Sequence, residues 1–209
     1  GVGTLMLALR VLLAIALAVA YPSMPDIRGI ADYQPKLPLR IYSADGVLLG
    51  EFGEERRSFT PIAETPQVMR DAVLAAEDAR FYEHSGIDYK GVMRAGIANL
   101  SGLGSQGAST ITMQVAKNFY LSTEKTLTRK IYEILLALKI ENLLSKDQIL
   151  ERYLSNAYFG DNTYGLRAAS LHYFYRQPER LTPAQAAMLA GLVQAPSRLA
   201  PTRNYAAAR

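Results

Sequence analysis

The chain has 209 residues, 49% of them hydrophobic, with no cysteine, two histidines and a formal net charge of +4. That length buries one substantial core, or one domain with a membrane segment and a small accessory piece, but not two full domains. The missing cysteines exclude a disulfide framework and a thiolate metal site, His84 and His172 form no His-Glu-x-x-His zinc pattern, and the basic balance suits a polyanion or anionic lipid while no nucleic-acid motif is present.

Residues 1–21, GVGTLMLALRVLLAIALAVAY, are apolar apart from Thr4 and Arg10, and about twenty such residues cross a hydrocarbon core. A membrane anchor is expected, although Arg10 costs roughly 2.5–3.5 kcal/mol at a bilayer centre unless it snorkels. The competing reading is a cleaved signal peptide, with residues 11–17 as its apolar region and Ala18-Val19-Ala20 as the cleavage site. Either reading exports the remainder. Residues 22–38 carry Pro22, Pro25, Pro35 and Pro38, as an extended juxtamembrane linker would. Residues 39–60 form a hairpin region, in which strand-like runs at 39–44 and 47–52 flank a two-residue turn signal, Asp45-Gly46.

Residues 61–209 read as one mainly α-helical domain. Thr65 is a candidate N-cap and Pro66 a first helical residue, and Val68, Met69, Ala72, Val73 and Ala76 recur at helical spacing. That helix ends at Glu77-Asp78. A glutamate placed where the buried face ends is partly withdrawn from water, a setting for a general base. Surface pairing of Glu77 with Arg80 or Arg70 is the plainer alternative. Residues 90–100 are amphipathic, with Val92, Met93, Ile97 and Leu100 on one side, for core or for lipid. After the Gly/Ser loop 101–108, Ser109 is expected to cap a helix through Thr112, Val115 and Ala116, whose first N–H groups can bind an anion. Over residues 126–144, Arg129 and Lys130 share a face with Glu133, as they would in a surface ion-pair ladder. Capping boxes at Ser145-Lys146-Asp147-Gln148 and Thr182-Pro183-Ala184-Gln185 start two more helices. Ser122-Thr123-Glu124-Lys125 matches the Ser-x-x-Lys nucleophile pattern, but no partner motif follows it.

Four blocks in order carry a resemblance. They are Glu77-Asp78 with Phe81, His84 and Gly86; Gly107-Ala108-Ser109-Thr110-Ile111-Thr112-Met113-Gln114 with Lys117-Asn118; Arg129-Lys130 with Glu133; and Lys146-Asp147-Gln148-Ile149-Leu150-Glu151 with Tyr153-Leu154. Over residues 38–209 the chain resembles glycosyltransferase family 51, the peptidoglycan glycosyltransferase module of bifunctional class A penicillin-binding proteins. It departs from the family's usual pattern at Ala108, Met113, Lys125, Ser155, Tyr175 and Arg176.

The resemblance implies a lysozyme-like helical domain that polymerises lipid II into β-1,4 glycan strands with inversion, releasing polyprenyl diphosphate. It implies Glu77 as the base taking the acceptor's 4-hydroxyl proton, Asp78 as its support, and Glu133 as the second catalytic carboxylate. Lys117, Lys125, Arg129 and Lys130 would hold the diphosphate, and Phe81, His84, Ser109, Thr112, Gln114 and Asn118 would line the sugar-diphosphate cleft. The sequence itself requires no cofactor or metal, while the resemblance allows a divalent cation (Mg or Mn) at Glu133. The implied partners are lipid II, the growing glycan strand, the bilayer and other cell-wall synthesis proteins. The implied location is the cytoplasmic (inner) membrane, crossed once, with the catalytic domain outside. Residue 209 falls where a further family block begins, so the C-terminal end reads as truncated before a transpeptidase domain. A lysozyme-like glycan-cleaving enzyme and a non-catalytic membrane-tethered scaffold are the competing classes.

Overall fold

Apolar positions repeating every three or four residues beyond residue 60 fold into helices, and their buried faces converge on one core. The computed structural model describes residues 25–30, 39–52, 56–57, 59–100, 107, 109–121 and 126–202. The expected anchor at 1–21, the Ser-x-x-Lys stretch and Lys125 lie outside the described residues. The helices are α1 (Gln67–Glu77), α2 (Tyr89–Leu100), α3 (Ile111–Tyr120), α4 (Leu127–Leu143), α5 (Lys146–Asn156), α6 (Leu166–Phe174), α7 (Pro183–Gln194) and α8 (Pro196–Leu199). The strands are β1 (Leu39–Tyr42), β2 (Leu48–Phe52), β3 (Arg56–Arg57) and β4 (Thr163–Tyr164).

Helix α1 packs on α7, and α3 packs on both α4 and α5. Met69 and Val73 of α1, Ile111 and Val115 of α3, Leu136 and Ile140 of α4, and Ile149, Leu150 and Leu154 of α5 are buried together. This core fixes the end of α1 relative to the start of α3, and those two ends build the site. Both expected capping boxes are present: Ser145 and Gln148 bond reciprocally, as do Thr182 and Gln185.

Three local features differ from the sequence reading. The α1 cap is Pro66 rather than Thr65, whose hydroxyl donates instead to the Pro61 carbonyl at 3.3 Å. In the hairpin, β1 and β2 pair antiparallel with Leu39 opposite Phe52. Its turn is wider than two residues: the Gly46 N–H donates to Ser43 O at 2.9 Å, and Gly46 takes φ +83°, the left-handed step that follows a type I turn in a longer hairpin loop. The third difference is in the stretch read as linker, where Ile27 and Ile30 are buried in the core, the Arg152 Nε–H donates to Ile30 O at 3.2 Å and the Tyr120 hydroxyl to Ile27 O at 3.3 Å. Beyond these, β3 and β4 pair in parallel, Arg56 opposite Thr163, a contact the sequence did not announce.

Candidate active site

Glu77 and Asp78 are adjacent in the chain and face different environments. Asp78 is 7% exposed. Its Oδ2 accepts the N–H of Ile111, the first residue of α3, at 3.0 Å, and both carboxylate oxygens lie 3.0 Å from His84 Nε2. The helix start expected to bind an anion therefore binds this one. Thr110, not Ser109, caps α3: its hydroxyl accepts the Met113 N–H at 3.2 Å and donates to Gly86 O at 2.7 Å. Gly86 has φ +91°, and a Cβ there would lie 3.2 Å from the Ala137 backbone and from Glu141 Cγ. The turn from Asp78 to Gly86 thus closes onto α3 and α4 only with glycine at its end.

Glu77, last residue of α1, opens instead into a cavity of about 790 Å³ that Asp78, Arg80, Asp88, Arg94, Ser109 and Gln114 help to line. Gln114 Nε2 donates to Glu77 Oε2 at 2.7 Å, which sets the direction of the carboxylate. Lys117 and Asn118 stand three and four residues after Gln114 on α3 and continue the same face. Beneath the site, the buried Tyr153 phenol is pushed well up by burial and, second, by the negative charge of Glu77; its hydroxyl has no hydrogen-bond partner among the described residues.

Freed from capping, the Ser109 hydroxyl accepts from Lys130 Nζ at 2.8 Å, and the same ammonium donates to Glu133 Oε2 at 2.8 Å. Arg129 Nε lies 3.1 Å from Glu133 Oε1. Glu133 is 3% exposed, so this cluster is not the solvated ladder its spacing also allowed. A polar chain runs from the cavity wall at Ser109 through Lys130 to Glu133.

Three expected lining residues, Phe81, His84 and Thr112, lie elsewhere. Phe81 is 1% exposed in the core, with Lys146 Nζ 4.3 Å from its ring centre. Thr112 is fully buried and donates to Glu141 Oε1 at 2.6 Å, the oxygen that also accepts from Lys146 Nζ at 2.7 Å. His84 is packed against Asp78 and edge-on to Phe81, with ring centres 6.2 Å apart. Sequence reasoning missed Arg80 and Arg94 in the cavity wall. Arg80 pairs with Asp88, whose carboxyl the guanidinium holds below the usual carboxylate range. The signal for Arg94 was its place four residues after Lys90 on the polar side of an amphipathic helix.

Fold and site together define a helical module with an open carboxylate at a large cavity and cations gathered on the neighbouring helix. The transglycosylase family profile matches residues 45–209, and the chain belongs to that family, as a glycosyltransferase family 51 module of a class A penicillin-binding protein. It is 56% identical over 194 residues to penicillin-binding protein 1A of Neisseria gonorrhoeae, covering 92% of this chain and 24% of that protein. Against penicillin-binding protein 1A of Escherichia coli K12 the identity is 48% over 181 residues, covering 86% of this chain and 21% of that protein. The chain therefore spans less than a quarter of the length of these curated relatives. The crystal structure of penicillin-binding protein 1A from Haemophilus influenzae aligns with a TM-score of 0.42 at 25% identity, over 84% of this chain and 17% of that one.

Proposed function

We propose that this module is a peptidoglycan glycosyltransferase that joins lipid II units into β-1,4 glycan strands. Glu77 takes the proton of the acceptor's 4-hydroxyl. The freed oxygen forms a bond to the donor's anomeric carbon, and the bond from that carbon to the diphosphate oxygen breaks. The electron pair leaves with the polyprenyl diphosphate, and attack opposite the α-linked leaving group gives the β-glycoside. The observation that carries this reading is Glu77 opening into a 790 Å³ cavity whose Ser109 wall is tied by Lys130 to Glu133. The volume lies in the range of small-molecule sites. Lys117, Lys125, Arg129 and Lys130 neutralise the charge that develops on the diphosphate. Glu133 holds Arg129 and Lys130 in place, and Ser109, Gln114 and Asn118 orient the sugars.

The donor set does not fit a protein-held divalent cation. Both oxygens of Glu133 face cationic side chains, and among the described residues no group of three His, Asp or Glu side chains could hold a metal. Residues 1–21 would anchor the module at the outer face of the cytoplasmic membrane, at the surface that holds the lipid substrate, where tethering raises effective concentration. Among the described residues no helix is long and apolar enough to cross a membrane. A lysozyme-like hydrolase would need no gathered cations, which favours the transferase.

The test is Glu77→Gln, which keeps the side-chain shape and removes the base. It should lower lipid II polymerisation by roughly 10²–10⁴-fold with an unchanged melting temperature. Undiminished strand synthesis would remove Glu77 from the role.

A further inference from the structure

We infer that Tyr153 is a positioning residue for the reaction proposed above: with acceptor bound, its phenol donates to Oε1 of Glu77 and, together with Gln114 on Oε2, holds that carboxylate in place and ionised as water leaves the cavity. The inference rests on that reaction, in which Glu77 takes the acceptor's proton.

Three helices bring these groups together. On α1, Met69, Val73 and Glu77 follow one another at four-residue spacing and so share a face, and the first two lie in the core that contains Tyr153. On α3, Gln114 comes three residues after Ile111 of the same core and donates to Glu77 Oε2 at 2.7 Å. Helix α3 packs on α5, where Tyr153 stands one turn after the buried Ile149 and Leu150. The last residue of α1, the first turn of α3 and the last turn of α5 therefore converge.

Tyr153 is 1% exposed, and its hydroxyl has no partner among the described residues. A buried hydroxyl without a partner is destabilising, and phenylalanine would fill the same space without that cost. Packing alone gives no reason for the oxygen. Glu77 supplies one: its Oε1 accepts no hydrogen bond among the described residues, and its charge, after burial, is what raises the proton affinity of the phenol. A donor without an acceptor thus stands near a carboxylate oxygen without a donor. Catalytic hydrogen bonds are often long in a free enzyme and tighten in the substrate complex.

The need for a second donor arises when the acceptor sugar displaces water from the cavity, because desolvation disfavours the charged form of Glu77. Asp78 brings no donor, and it already occupies the Ile111 N–H and His84. Arg80 is paired with Asp88. The charged groups that share the cavity with Glu77 are Asp78, Arg80 and Asp88 from the turn after α1 and Arg94 from α2. All four are the same in wild type and in a Tyr153 variant, so a difference between the two reports the phenol.

The experiment is Tyr153→Phe in the full chain, assayed for lipid II polymerisation across pH. The acid limb of its kcat profile should move up by about one pH unit, which is a tenfold loss on that limb. KM should stay unchanged, and the urea midpoint should stay or rise, because the change removes an unpaired buried hydroxyl. In the Glu77→Gln background, where the side chain carries no charge, the same change should leave the residual rate unaltered. A limb that stays in place overturns the inference, as does an equal loss with and without Glu77. A lower urea midpoint with an unmoved profile makes the phenol purely structural and overturns it too. A wild-type chain that makes no polymer sinks the transferase reading itself, whereas an active wild type with an unaltered Tyr153→Phe variant sinks this inference alone.

Discussion

Two neighbouring regions of this molecule use charge in opposite ways. In the knot between α1 and α3, the polar groups of Asp78, His84, Thr110 and Gly86 bond to one another, and Asp78 is 7% exposed. Across the cavity, Glu77 has one bond to Gln114 and Arg94 has no side-chain partner among the described residues. A carboxylate enclosed by donors holds helices together, while one that opens into a cavity is available to a substrate. Changes in the knot should therefore cost stability, and changes at the cavity should cost turnover at unchanged stability.

The largest expected effect is on turnover. Glu133→Gln leaves Arg129 and Lys130 without their buried counter-charge and should lower lipid II polymerisation roughly hundredfold, measured as initial rate, with a lower melting temperature by circular dichroism because one partner of a buried ion pair is removed. On the other side of the comparison, Asp78→Ala strands the Ile111 N–H and His84 and should lower unfolding free energy by about 3 kcal/mol in a urea titration. An Asp78→Ala protein of native stability would show that the knot is not structural. Gln114→Ala removes the 2.7 Å bond to Glu77 and should reduce kcat about tenfold without shifting the urea midpoint.

Gly86→Ala sharpens the contrast, because a Cβ at φ +91° would press on Ala137 and Glu141. It should cost about 2 kcal/mol of stability. The smallest effect concerns Tyr82, whose phenol is pushed up to about 12 by burial and by its hydrogen bond to Asp147. The folded state keeps this proton where the unfolded chain loses it. The contribution is fully present below the ordinary tyrosine value of 10.0 and is lost as pH rises from there towards 12. The ultraviolet difference titration of wild type minus Tyr82→Phe should reveal that late step.

Much of the scaffold was readable from local chemistry. The apolar period of α1 and the two capping boxes are local signals, and each is present. Ser109 and Thr110 are nearly equal as caps. The choice between them is tertiary, because Thr110 can reach Gly86 O while Lys130 engages Ser109. Asp45-Gly46 gave the hairpin but not its width, since Gly46 supplies the left-handed step in either turn. The pairing of β3 with β4 joins two-residue strands more than a hundred positions apart, and no local pattern encodes it.

At the site, the glutamate that closes α1 was legible from its place at the end of an apolar face. Recurring motif letters did not separate Phe81 and Thr112, which build the core and the Glu141 network, from residues that line the cavity. Arg94 escaped notice because an exposed arginine on an amphipathic helix looks like ordinary surface until folding brings it to one cavity with Glu77 and Ser109.

The most direct measurement is incubation of the purified chain with lipid II, with polymer, free disaccharide-peptide and released polyprenyl diphosphate separated and quantified. β-1,4-linked polymer is expected, with one diphosphate lipid released for each new bond. Free disaccharide-peptide without polymer, or untouched lipid II, would contradict it.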